Sequence, residues 1–139
     1  MGLEQELERF YSSVRMSELR FSGRFGSDVD YRSLLYLDLI RYEEGCTASK
    51  ISEMLGVDKS TVSKKIDSLV ARGMAVKVRD PNDGRIQRLA LSEEWRAMYD
   101  ENDAPYDRAL ERLEAELSDS EKAVVCRALG IFSEELDRE

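Results

Sequence analysis

The 139 residues contain no histidine, and only two cysteines, two prolines and one tryptophan. Without histidine the commonest general base and metal ligand are missing. Cys46 and Cys126 stand alone, so no paired-cysteine zinc motif exists. No Walker loop or dinucleotide-binding glycine fingerprint occurs either, and the many carboxylates are spaced as helix surface. An enzyme is therefore not expected, nor is a metal or a cofactor. Long hydrophobic runs are also lacking: the most apolar stretch, 34–40, is interrupted by Asp38 and is far too short to cross a bilayer. The N-terminus is acidic and amphipathic and carries no signal-peptide pattern, so a cytoplasmic protein without membrane association is expected. The length and the 42% apolar content suit a single domain, 1–139.

Overall positive charge is the last absence, with a formal net charge of -8. Its distribution is uneven. From Val57 to Ala90 there are eight cations against four acids, whereas the remainder holds 13 cations against 25 acids. A basic footprint confined to one segment suits contact with a polyanion, and the acidic rest is screened beyond about 8 Å at physiological salt.

That basic segment lies inside the most informative stretch, Thr47 to Ser92. Thr47 is a good N-cap for a short helix carrying Ile51 and Leu55 one turn apart. Gly56 closes that helix, Val57 is expected to be a buried pivot, and Asp58 caps a second helix. In the second helix Val62, Ile66, Leu69 and Val70 form one apolar stripe that ends at Gly73. Opposite the stripe stand Lys59, Ser60, Thr61, Ser63, Lys64, Lys65 and Ser68, short hydroxyls and long cations of the kind that read a DNA major groove. The bland reading of the same residues is a solvated helix face.

After Gly73 the period changes to alternation, with Met74, Val76 and Val78 on one side and Ala75, Lys77 and Arg79 on the other. Asp80, Pro81, Asn82, Asp83 and Gly84 form a dense turn signal, and Gln87, Leu89 and Leu91 resume the alternation. The resulting hairpin throws Arg85 out at its tip, where an arginine can enter a narrow minor groove. Asp83 is close enough to steer it; a simple surface salt bridge closing the loop is the plainer reading. With Lys77 and Arg88 of the ribbon, these residues complete the candidate DNA-binding set.

The stretch Leu-Gly-Val-Asp-Lys-Ser-Thr-Val at 55–62, Leu69, Gly73, and the series Asp80-Pro, Asp83-Gly-Arg85, Leu89, Leu91 and Ser92 resemble the MarR/SlyA family of bacterial transcription regulators. The resemblance extends over Thr47 to Glu94. It implies a winged helix-turn-helix in which Ser60, Thr61, Ser63 and Lys64 read the major groove and Arg85 contacts the minor groove. It further implies a homodimeric, ligand-modulated repressor or activator, a repressor being the expectation, acting on pseudo-palindromic duplex DNA. An effector site is implied where the dimerisation helices meet the winged module, drawing on Tyr11, Arg15, Tyr36 and Tyr42 and taking a small aromatic or amphipathic ligand. These four could equally be ordinary core residues with polar tips.

The flanks carry seams of their own. Leu3, Leu7, Phe10 and Val14 form one apolar stripe, Tyr106, Leu110, Leu113 and Leu117 a second, and Val125, Leu129, Phe132 and Leu136 a third, all at the alternating spacing of helix-on-helix seams. A small domain cannot easily bury all three, so an intertwined dimer is favoured over packing beside the winged module. The expected class is therefore mainly α with a small β wing, with the winged helix-turn-helix at 32–92 flanked by dimerisation helices at 1–31 and 93–139. Ser33 to Tyr42, apolar almost all round, reads as a buried central helix. Ser92 and Ser118 cap the last two helices, Ser118 with Glu121 as a capping box. Pro105 is expected to kink the first of these or to split it near Asp103, and Gly130 marks a close contact or a weak spot in the second.

Three side readings complete the sequence. Gly23-Arg24-Phe25-Gly26 superficially resembles the clamp of KH domains but lacks their strand context, and reads as a connector. Cys46 and Cys126 could sense oxidants, although neither lies in the first helix where the resemblance would put such a thiol; a bystander role is the default. A winged helix that binds protein and never holds DNA is the alternative function, and it gives no reason for a protruding Arg85 beside the Lys64 cluster.

Overall fold

The computed structural model describes residues 2–24 and 29–138. Phe25 and Gly26 of the connector therefore lie outside the described residues. Six helices and one antiparallel ribbon follow in the order α1 (Leu3–Gly23), α2 (Tyr31–Tyr42), α3 (Ala48–Leu55), α4 (Lys59–Ala71), β1 (Ala75–Arg79), β2 (Gln87–Leu91), α5 (Glu93–Glu116) and α6 (Asp119–Leu136). The fold is mainly helical with a small two-stranded sheet. The chain divides into two compact units, Met1–Met98 and Tyr99–Glu139, and α5 runs from the first into the second.

In the first unit the helix starts are set by local chemistry. The side chains of Asp30, Thr47 and Asp58 accept from the backbone N–H of Ser33, Lys50 and Thr61, so α2, α3 and α4 each begin on a satisfied cap. Gly56 ends α3 with φ +63, in the left-handed region that glycine enters cheaply, and the chain re-enters α4 at once. That tight turn lays α3 across α4, while α4 packs on β1 and α2 packs on both α4 and β2.

The core at this junction consists of Leu37, Cys46, Ile51, Val62, Ile66 and Leu69, all at 1% exposure or less. Removing each large aliphatic side chain from water stabilises the module by about 1.5–3 kcal/mol. Val57 is half-buried rather than buried, because it sits at the rim of the turn. In α2 the expectation of all-round burial also needs correction: Leu34, Tyr36, Leu37 and Ile40 are buried, but Leu35 and Tyr42 face solvent. The helix lies on the core with one broad face and is not enclosed by it.

The ribbon pairs Ala75 with Leu91, Lys77 with Leu89 and Arg79 with Gln87. These partners share a face, and its inner end, Ala75, Leu89 and Leu91, is the buried part of the sheet. Val76 and Val78, on the other face, are 40% and 49% exposed. A two-stranded ribbon is covered only where it meets the helices, so its outer residues stay wet whatever their polarity. Beyond β1, the other edge of β2 is held by Leu89 N–H donating to the Cys46 carbonyl at 2.8 Å.

The second unit comprises the rest of α5 together with α6. The Ser118 hydroxyl accepts from Glu121 N–H, and the Glu121 carboxylate accepts from Ser118 N–H, which closes the expected capping box. Lys122 Nζ donates to Glu114 Oε2 across the turn at 2.7 Å. The split expected near Asp103 does not occur: α5 is continuous through Pro105, with more than two turns on each side. One missing backbone donor is a local loss that a long flanking helix absorbs. No residue of α6 is buried, and Leu110, Leu129, Ile131 and Leu136 are 55–64% exposed. Among the described residues no helix is long and apolar enough to cross a membrane.

Candidate nucleic-acid interface

The N-terminal half of α4 presents the residues that the sequence singles out. Lys59, Ser60, Thr61 and Lys64 are exposed, and Ser63 and Lys65 are half-buried. The hydroxyls are not free rotors. Ser60 Oγ donates to Asp58 Oδ1 at 2.7 Å and Thr61 Oγ1 donates to Asp58 Oδ2 at 2.9 Å, while Thr61 N–H donates to Oδ1 at 2.9 Å. Both hydroxyl protons are thus used by the cap, which leaves the oxygens only their acceptor lone pairs. The Ser60 hydroxyl, followed by the donors of Thr61, lowers the Asp58 carboxyl to about 2, so it is ionised under ordinary conditions.

The four lysines divide into two pairs. Lys65 Nζ lies 3.5 Å from Asp30 Oδ1, tying α4 to the start of α2, and Lys77 Nζ donates to Asp67 Oδ1 at 2.6 Å, tying the ribbon to α4. Lys59 and Lys64 have no ion-pair partner among the described residues. Cations with internal carboxylates are partly neutralised, so the available positive charge of the helix is concentrated at its first turns. The helix N-terminus adds a partial positive charge of its own there.

The ribbon's tip is an ordered turn. Asp80 N–H donates to the Ile86 carbonyl at 2.9 Å and Ile86 N–H to the Asp83 carbonyl at 3.0 Å, closing the loop. Asp80 Oδ1 accepts from the backbone N–H groups of Asn82 and Asp83 at 2.8 and 3.0 Å. Asp83 Oδ1 accepts both the backbone N–H and Nε of Arg85. Its carboxyl is held below the usual range, first by the Arg85 guanidinium. The Arg85 side chain is 91% exposed all the same. Asp80 is a residue whose role composition alone did not bring out; its signal was the Asx-type turn chemistry of Asp-Pro-Asn-Asp.

Between α4 and the ribbon runs an open groove of about 520 Å³, floored by Ile66 and Leu89 and reaching the start of α3 at Thr47. Three cations, Lys59, Lys77 and Arg85, line it against one carboxylate, Asp67. An open, cation-lined groove between a helix and a protruding arginine is suited to a phosphodiester backbone. Arg88, in contrast, lies on the ribbon face opposite Lys77, with Nε donating to Asp80 Oδ2 at 2.7 Å. Of the predicted residues, Lys59, Ser63, Lys77 and Arg85 line this one groove; Ser60, Thr61 and Lys64 share the same half of α4, Asp83 bonds Arg85, and Arg88 lies on the other face of the ribbon.

Residues 27–86 match the model of the MarR family. Over that segment, which holds the helix-turn-helix and the turn of the ribbon, the chain is similar to the MarR family. Transcriptional regulator AdcR of Streptococcus pyogenes, a full-length relative, is 25% identical over 144 residues, covering 97% of each chain. The crystal structure of this adhesin competence repressor superposes with a TM-score of 0.56. A MarR-like transcriptional regulator from Thermotoga maritima is 27% identical, covers 100% of this chain and 99% of its own, and gives 0.58. Streptococcus pneumoniae FabT, in a structure with DNA, is 21% identical, covers 97% and 98%, and gives 0.62. Members of the MarR family are transcriptional regulators and not enzymes.

The effector-site tyrosines do not form one cluster of like environment. Tyr36 is buried at 3%, Tyr11 is half-buried, Arg15 is exposed and Tyr42 is 69% exposed. Arg41 stacks over the Tyr42 ring at 4.9 Å and donates to its hydroxyl at 3.0 Å. Neither the α4 groove nor a smaller cavity of about 210 Å³ at the end of α2 is lined by any of the four. Cys46 is buried, and burial pushes its thiol pKa up, which disfavours the reactive thiolate. Cys126 is exposed on α6. Among the described residues no group of three or more ligating side chains could hold a metal ion.

Proposed function

We propose that two copies of this chain form a sequence-specific transcriptional repressor that holds pseudo-palindromic duplex DNA, with α4 in the major groove and the wing in the adjacent minor groove. The carrying observation is Arg85, 91% exposed on a turn braced by Asp83, beside a recognition-type helix whose free cations are Lys59 and Lys64. The complex of the structurally similar FabT with DNA supports the DNA reading, and the relative named as a repressor supports the direction of control. Lys59, Ser60, Thr61, Ser63, Lys64 and Arg85 are assigned direct contacts. Lys65 and Lys77 hold the helix and wing in place.

The exposed apolar seams support the dimer. Leu3 is 81%, Phe10 53%, Leu113 43%, Val125 37% and Leu129 55% exposed. Surfaces of this size seldom stay in water on a stable monomer, and a second copy supplies the complementary face under two-fold symmetry. Leu3, Leu7, Phe10, Val14, Leu110, Leu113, Leu117, Val125, Leu129, Phe132 and Leu136 are the residues assigned to it. Two recognition helices then read half-sites about 34 Å apart.

Control by a small aromatic or amphipathic ligand belongs to the same proposal, with Tyr11, Arg15, Tyr36 and Tyr42 as the residues assigned to it. A ligand acts here by changing the distance between the two recognition helices. Calorimetric titration of a candidate ligand into free and DNA-bound protein tests this; equal affinities in both remove the coupling. For the DNA reading itself, selection from a randomised duplex pool is expected to enrich an inverted repeat. No enrichment at low salt, with the dimer intact, overturns it in favour of a protein-binding module.

A further inference from the structure

The turn that carries Arg85 is anchored from outside the wing. Asp80 is buried, and its carboxylate is fully engaged by the N–H groups of Asn82 and Asp83 on one oxygen and by Arg88 Nε on the other. The Arg88 guanidinium foremost, then the two amides, hold the Asp80 carboxyl below the ordinary range. Arg88 is braced in turn. Its guanidinium lies directly on Gly45, in the loop after α2, so closely that a Cβ built on Gly45 would overlap Nη1. Gly45 itself has φ +65, and the neighbouring Cys46 carbonyl accepts from Leu89 N–H at 2.8 Å.

A continuous series of contacts therefore runs from the Gly45 loop through Arg88 and Asp80 to the Asp83 N–H, and on through the Asp83 carboxylate to Arg85. We infer that Arg88 is a positioning residue for DNA binding, which presets the wing arginine by clamping Asp80 against the Gly45 loop. Gly45 is the residue that admits its guanidinium. The inference rests on the proposed DNA reading of Arg85 and adds a device that serves it. Without Arg88 the buried Asp80 carboxylate keeps only neutral donors, and the turn loses its fixed reference. An exposed arginine on a loosened turn must then be ordered at the moment of binding, and affinity falls.

The test is a double-mutant cycle on a selected duplex, read by fluorescence anisotropy. Arg88→Gln and Gly45→Ala are each made alone and in combination with Arg85→Ala. Dimer mass and thermal unfolding establish that each variant is folded at the assay temperature. Roughly three- to tenfold weakening by each change in the natural background, shrinking below about twofold when Arg85 is already alanine, is expected. Gly45→Ala keeps the Arg88 side chain but denies its guanidinium the seat on Gly45, and because a φ of +65 also strains alanine there, the difference between the two Arg85 backgrounds, and not the loss itself, carries the result. Equal weakening in both backgrounds overturns the inference, because Arg88 then acts independently of Arg85. Unchanged binding by Gly45→Ala overturns it as well. Should Arg85→Ala bind as tightly as the natural protein, the wing assignment falls together with the inference, whereas additive losses leave that assignment standing.

Discussion

Asp83 grips Arg85 through both carboxylate oxygens, at 3.1 Å to Nε and 3.3 Å to Nη2, yet leaves the arginine side chain 91% exposed. The pair fixes direction without burying charge. As a surface salt bridge it adds about 0–1 kcal/mol to stability, so its value lies in preorganising the guanidinium for a ligand outside the protein.

Arg85→Ala is accordingly expected to leave the fold intact and to cost about 1–3 kcal/mol of DNA binding, roughly ten- to a hundredfold. Asp83→Ala releases the same arginine and should cost less, because the cation remains. Anisotropy on a selected duplex measures both; a larger loss for Asp83→Ala would show that the turn matters more than the contact.

The lysines should behave in two classes. Lys59→Ala and Lys64→Ala each remove a free cation and are expected to lower affinity for all sequences, reducing the log-log salt slope by about one. Lys65→Ala and Lys77→Ala break pairs with Asp30 and Asp67, and their salt slopes should stay close to that of the natural protein. The same drop in slope for all four would deny the division.

Acid should loosen the helix starts of the winged module. The Asp30 and Asp58 carboxyls are each lowered to about 2 from 3.8, Asp30 chiefly by Ser33 and Asp58 chiefly by Ser60. A folded pKa below the unfolded one contributes stability that is present above about pH 4 and lost as the pH falls through 4 towards 2. Thermal unfolding should therefore weaken in that window, and the double variant Asp30→Asn, Asp58→Asn should show a flatter acid limb. An unchanged acid limb would remove the caps from the explanation.

Self-association should depend on the seam residues that are wet in the single chain. Leu129→Glu puts a carboxylate at a position 55% exposed in the protomer, so the protomer tolerates it and a helix-on-helix interface does not. Sedimentation velocity is expected to show a shift from dimer to monomer with helical content largely retained. A variant that stays dimeric would place the interface elsewhere.

What the sequence disclosed and what it hid follows the range of the interactions. The caps at Thr47, Asp58 and Ser118, the turn at Gly56 and the exposed Arg85 are all local events, settled within a few residues, and each was legible. The start of α2 on Asp30 was missed by two residues because apolar content marks a helix body better than its end. The face of β1 was not legible, since alternation shows that two faces differ but not which one meets α4. The engagement of Lys65 by Asp30, and of Arg88 by Gly45, was hidden because it depends on tertiary approach of distant segments, and that of Arg88 by Asp80 because it depends on the register of the hairpin. These contacts are what separate the free cations of the candidate site from its supporting ones.

Anisotropy of the natural protein on a selected inverted repeat over a salt series decides whether a dimer reads duplex DNA through α4 and the wing. Two protomers per duplex and a log-log slope near -7, about eight phosphates neutralised by the pair, are the predicted result. Binding of one protomer per duplex, or an affinity indifferent to salt and to the spacing of the half-sites, would contradict it.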